Sequence, residues 1–126
     1  MIPAQPLSLC VFDNTLYIWL NMNAQQTFNA IKSTVYSFLP NSRVLLFGSR
    51  ARGESDKESD YDLLIVTNET FAPRVKMDWQ SKIRKALVYA FNAPFDVFVE
   101  SENDIGEKMK LTGHIVNYAM KDAIEL

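Results

Sequence analysis

The sequence predicts a small α+β domain on a sheet of at least three strands, and three observations carry that expectation. Short apolar runs bounded by Gly, Pro or polar residues (Val44 to Phe47, the body of Asp60 to Thr67, and Phe95 to Glu100) read as buried strands. Segments of helical period separate them, giving the order helix, strand, strand, helix, strand, helix. A chain of 126 residues allows one compact domain with a core of its own.

Asn23 and Gln26 fit a capping box, and Phe28, Ile31, Val35 and Phe38 recur at helical spacing until Pro40. Val44-Leu45-Leu46-Phe47 is the first strand, cut off by Gly48-Ser49. The polar stretch from Arg50 to Ser59 is loop or short helix, and Asp60 to Thr67 is a second strand with an acidic start. Pro73 suits the first turn of a long helix whose one face carries Trp79, Ile83, Ala86, Leu87 and Ala90. Asn92-Ala93-Pro94 ends it before the third strand. Ser101 and Asp104 can cap a short turn through Met109, weakened by Gly106. Thr112 is expected to open a last helix carrying Ile115, Val116, Ala119, Ala123 and Ile124 inward. Residues 1–21 fit this plan badly. They read either as a hairpin, Leu7–Phe12 with Thr15–Leu20, or as an extension ahead of a start at Met22, which makes 22–126 the domain.

Composition narrows the functional classes. Hydrophobic content of 48% and charged content of 22% are ordinary globular values. With 13 Lys+Arg against 15 Asp+Glu, a net charge of −2 disfavours direct, sequence-independent binding to nucleic acid. No apolar stretch is long enough to span a bilayer, and the segment Leu7–Leu20 is interrupted by Asp13 and Asn14. The single cysteine, Cys10, excludes an internal disulfide framework and fits a reducing, cytoplasmic setting.

The chemistry concentrates in Gly48 to Val66, GSRARGESDKESDYDLLIV. A Gly-Ser pair after a buried strand lets the backbone turn sharply and present N–H groups to an anion, and Ser49 adds a hydroxyl for a phosphate oxygen. Asp60 and Asp62 are two apart on a strand, so their carboxylates project to one face about 7 Å apart along the chain. Mg²⁺ favours such hard oxygen ligands, with water and substrate phosphate filling the other positions. Asp96 stands among apolar neighbours in a strand, where a carboxylate is costly unless paired. If its strand lies beside the second, it completes a three-carboxylate cluster.

The pattern Gly48-Ser49, ten residues, Asp60-x-Asp62 and a later strand aspartate resembles the DNA polymerase β-like nucleotidyltransferase superfamily. It is most similar to the minimal nucleotidyltransferases encoded beside HEPN-domain proteins, over roughly 23–126. The resemblance implies a palm-like fold with a short mixed sheet flanked by helices. It implies that Gly48 and Ser49 hold the β/γ-phosphates of a nucleoside triphosphate, with ATP as donor, and that Asp60 and Asp62 bind two Mg²⁺. Asp96 would ligate the catalytic metal and help deprotonate the attacking hydroxyl. Arg52, within Ala51-Arg52-Gly53, would contact phosphate, with Arg50 a weaker candidate. In the HEPN-paired group, the implied acceptor is a tyrosine of the partner toxin.

Plainer readings stand beside these. Asp60 and Asp62 could close a solvated mixed-charge run, Asp96 could face water from an edge strand, and Arg52 could pair with Glu54 or Asp56. His114 reads as a solvated helix residue and Trp79 as core. Two rival functions are a non-catalytic module that neutralises a partner by contact and a stand-alone transferase acting on a small hydroxylated molecule.

Overall fold

The computed structural model describes residues 24–53, 60–111 and 113–126. Helix α1 (Ala24–Tyr36) leads into β1 (Arg43–Phe47), then β2 (Tyr61–Thr67), α2 (Pro73–Phe91) and β3 (Phe95–Ser101). Two short helices, α3 (Glu102–Lys108) and α4 (Ile115–Asp122), precede a two-residue strand, β4 (Ile124–Glu125). The sheet order is β3-β2-β1-β4, with β2 and β3 parallel and the β1 pairings antiparallel. This is the small mixed sheet with flanking helices that the α+β expectation requires.

Both faces of the sheet are covered, which is why its strands read as nearly continuous apolar runs. Leu46, Leu63, Ile65, Val97 and Val99 face Ile31 and Val35 of α1 and Ile83, Leu87 and Phe91 of α2. Leu45, Phe47, Leu64 and Val66 face Ile105 of α3 and Val116 and Ala119 of α4. Leu46, Leu63, Ile65, Ile83 and Leu87 are fully buried, each worth about 1.5–3 kcal/mol of apolar transfer. Among the described residues, α3 and α4 supply the second layer, and it is thin.

The element ends follow local chemistry. Pro73 occupies the first turn of α2, and Asn92 closes that helix in a left-handed conformation (φ 51°), its N–H donating to the Val88 carbonyl. Ser101 caps α3, its hydroxyl accepting from the Asp104 N–H at 2.9 Å. A buried ion cluster ties β3 to both neighbouring helices, with Lys76 Nζ and Lys108 Nζ on Glu100 at 3.0 and 2.6 Å.

Three sequence expectations need correction here. The last helix is shorter than expected: His114 is its cap, Nδ1 accepting from the Val116 N–H, and Asp122 is its final residue. Ile115 and Ile124 are exposed rather than turned inward, and Ile124 belongs to β4. The sequence offers no period for a two-residue strand directly after a helix, so Ile124 reads as part of the helical stripe. The two readings of residues 1–21, Cys10, and the pairing of Arg52 with Glu54 or Asp56 lie outside the described residues, as does Thr112.

Candidate active site

The sheet register brings the acidic residues to one edge. Phe47 pairs with Asp62 across β1 and β2, and Asp62 pairs with Asp96 across β2 and β3. Laterally paired residues point to the same face, so both carboxylates emerge side by side on the face that α3 and α4 cover further along. Because β1 runs antiparallel to β2, the Gly48-Ser49 turn after β1 arrives at the starting ends of β2 and β3. Asp60 lies one residue before β2 and is exposed, rather than inside the strand.

Gly48 meets two requirements that no other residue satisfies. Its φ is +77°, a left-handed conformation that side chains resist, and a Cβ there would collide with the Asp62 carboxylate. The turn backbone therefore rests directly on Asp62. Beyond Gly48 the chain makes one helical turn, with the N–H groups of Ala51 and Arg52 both donating to the Gly48 carbonyl at 3.1 and 3.2 Å. Ser49 is half-buried at the start of that turn.

Charge repulsion marks the acidic edge. The Asp62 carboxyl is pushed up to about 6, first by burial, then by the neighbouring Asp96 and Asp60 charges and a hydrogen bond with Asp96, with Arg52 pulling the other way. Asp96 is exposed, since β3 is the edge strand. Thus the plainer reading of Asp96 holds for its solvent contact, while its register places it beside Asp62. No group of three His, Cys, Asp or Glu among the described residues converges as a closed metal cage. Mg²⁺ does not need one: it takes one or two carboxylates and completes its shell with water and substrate phosphate. A close, mutually repelling Asp62–Asp96 pair with Asp60 nearby fits that donor set.

The arginines of the turn part ways. Arg52 Nη1 pairs with Asp122 Oδ2 at 3.1 Å, at the last residue of α4, while its charge still reaches Asp62. Arg50 stacks over the Tyr61 ring at 3.8 Å, and Tyr61 belongs to the core on the opposite face of the sheet from Asp62. Arg52 is the better placed of the two for a phosphate on the acidic edge. Asp122 escaped the sequence reading because it lies 70 positions from Arg52. Its one signal is an acid at the C-terminal end of a helix, where the dipole disfavours negative charge.

Comparison with known proteins agrees with this arrangement. The family model described as "Polymerase beta, Nucleotidyltransferase" matches residues 29–119, and the chain belongs to that nucleotidyltransferase family. A Methanocaldococcus jannaschii protein named "Putative protein adenylyltransferase" is 31% identical over 86 residues, covering 68% of this chain and 78% of the relative. A solved structure described as a "putative minimal nucleotidyltransferase" superposes with a TM-score of 0.57 at 20% identity, covering 84% of this chain and 98% of the other. A toxin-antitoxin crystal structure with AMP-PNP has a TM-score of 0.54 at 16% identity, covering 78% and 70% of the two chains. At those identities the two structures speak for the fold, which is that of the minimal nucleotidyltransferases.

Proposed function

We propose that this nucleotidyltransferase transfers AMP from ATP to a hydroxyl of a partner protein, a tyrosine of a HEPN-type toxin, and so acts as the antitoxin of the pair. The observation that carries the reading is the Asp62–Asp96 pair, held side by side by the sheet register and backed by the Gly48 turn. The protein acceptor draws support from the name of the archaeal relative, and the toxin partner from the toxin-antitoxin neighbours.

Each residue has a physical task in this reading. The Gly48-Ser49 turn receives the β- and γ-phosphates through backbone N–H groups and the Ser49 hydroxyl. Arg52, oriented by Asp122, neutralises triphosphate charge. Asp60, Asp62 and Asp96 would hold two Mg²⁺, which supply charge neutralisation on the phosphates when bound. Asp96, the exposed member of the Asp62–Asp96 pair, meets the incoming hydroxyl and takes its proton. The protein mainly positions and neutralises, as phosphoryl-transfer chemistry requires.

The test uses ATP labelled at the α-phosphate with Mg²⁺, the purified protein and the product of the adjacent gene. Label on the partner with the intact protein, and none with Asp60→Ala/Asp62→Ala, is the expected result. No label, together with tight partner binding that survives the double substitution, would replace transfer by neutralisation through contact.

A further inference from the structure

The acidic edge has two unlike flanks, and in-line chemistry assigns them. Attack on the α-phosphorus places the entering oxygen opposite the leaving pyrophosphate. The Gly48 turn and Arg52 lie on the β1 side of Asp62, so pyrophosphate leaves toward β1 and the hydroxyl enters from the β3 side. A groove of about 310 Å³ opens there, between the outer flank of α2 and β3, the edge strand among the described residues. Met77, Gln80, Ser81 and Arg84 line it from α2, and Asp96 and Phe98 from β3.

We propose that this groove is the acceptor site, and that it takes an extended acidic polypeptide segment whose hydroxyl side chain enters at Asp96, with Arg84 setting specificity. The proposal rests on the transfer reading above. Positions 77, 80, 81 and 84 follow the i, i+3, i+4, i+7 stripe of one helix face, so the groove runs the length of two helical turns. Arg84 is exposed and forms no ion pair with any described residue. Elsewhere on the exposed surface of α2, Arg74, Lys82 and Lys85 stand against one acid, Asp78, so the helix is locally basic although the whole chain carries −2. That local excess is complementary to an acidic partner.

Two features favour a polypeptide. Met77 is 66% exposed within the groove, a soft apolar surface for a side chain. The Val99 N–H of β3 shows which way the edge faces: it points outward, where Gln80 Oε1 accepts it at 3.0 Å. Alternate residues of an edge strand share that outward direction, so an extended segment can pair beside Val97 and deliver its side chain to Asp96. In the reaction, the hydroxyl oxygen bonds to the α-phosphorus and its proton passes to the Asp96 carboxylate. The bond from the α-phosphorus to the bridging oxygen breaks, and pyrophosphate leaves with that electron pair.

The experiment compares a random Glu/Tyr copolymer with a Lys/Tyr copolymer as acceptors for α-labelled ATP and Mg²⁺, using the full chain and Arg84→Glu. MgATP affinity is measured in parallel by calorimetry. The expected result is preferential labelling of the Glu/Tyr polymer. Arg84→Glu should lower that labelling roughly tenfold or more and raise labelling of the Lys/Tyr polymer, with MgATP affinity unchanged. Labelling that ignores polymer charge, is absent from both polymers, or is unaffected by Arg84→Glu in a chain that binds MgATP would overturn the groove and leave the nucleotide site standing. Labelling suppressed by an oligonucleotide through Arg84 would overturn the polypeptide assignment. A chain that binds no MgATP would overturn the transfer reading, and the groove with it.

Discussion

The backbone of Gly48 sits against the Asp62 carboxylate so closely that no side chain fits between them. The contact joins the turn after β1 to the acidic start of β2, so the backbone proposed to face phosphate and the carboxylate proposed to hold metal form one unit. Gly48→Ala is expected to cost about 1–3 kcal/mol, from left-handed strain and displacement of Asp62. Gly53 is the control: its φ is +73°, but a Cβ there meets open space, so Gly53→Ala should cost only about 1 kcal/mol. Urea denaturation of both variants checks the difference, and only Gly48→Ala should also weaken MgATP binding.

Asp62 makes stability depend on pH in a direction opposite to that of a salt-bridged aspartate. Its folded value of about 6 lies above the ordinary 3.8, so between those values the folded chain holds a proton the unfolded chain has released. Stability from this group therefore falls as pH rises from about 4 to 6 and stays reduced above that. Asp62→Asn should match the parent near pH 3.5 and exceed its stability by about 1 kcal/mol at pH 7.5, allowing for solvent screening. Denaturation at the two pH values in EDTA measures this, and transfer activity should be lost in the same variant.

The Arg52–Asp122 pair is half-exposed on both sides, so its worth lies in orientation more than stability. Asp122→Ala should change unfolding free energy by less than about 1 kcal/mol. Arg52→Ala should raise the KM for ATP by roughly tenfold, the scale of one charge-assisted hydrogen bond. Thermal denaturation and initial rates across ATP concentrations separate the two effects.

Glu100 presents the reverse case. It is buried under Lys76 and Lys108, and Glu100→Ala leaves Lys108 without its carboxylate and Lys76 with Asp104 alone, at 4.0 Å. A loss of about 2–4 kcal/mol is expected, with MgATP affinity unchanged, because the cluster braces α2, β3 and α3 away from the acidic edge. Calorimetric unfolding and nucleotide titration of that variant check both halves.

Much of this was legible in the sequence because local chemistry repeats it at several levels. The apolar runs of β1, β2 and β3 are buried on both faces, and Pro73 and Asn92 bracket α2 by backbone preference alone. The spacing of Gly48, Ser49, Asp60 and Asp62 was readable because all four lie within 15 consecutive residues between the bodies of β1 and β2. What depends on distant pairing was not readable. Asp122 meets Arg52 only once α4 lies along β1, and β4 exists only because β1 offers a partner to Ile124 and Glu125. The exposure of Asp96 was one of two readings open in the sequence, and the position of β3 at the sheet edge decides between them. Arg84 likewise carries no signal of its own in the sequence; it is set apart only by the edge of β3 lying beside it.

The central claim, that the Asp62–Asp96 edge performs nucleotidyl rather than phosphoryl transfer, is tested most directly by the position of the label. Parallel reactions with α-labelled and γ-labelled ATP, the intact chain and its partner should place label on protein from the α-phosphate alone, with one pyrophosphate released per label. Label arriving from the γ-phosphate, with ADP as the product, would contradict it.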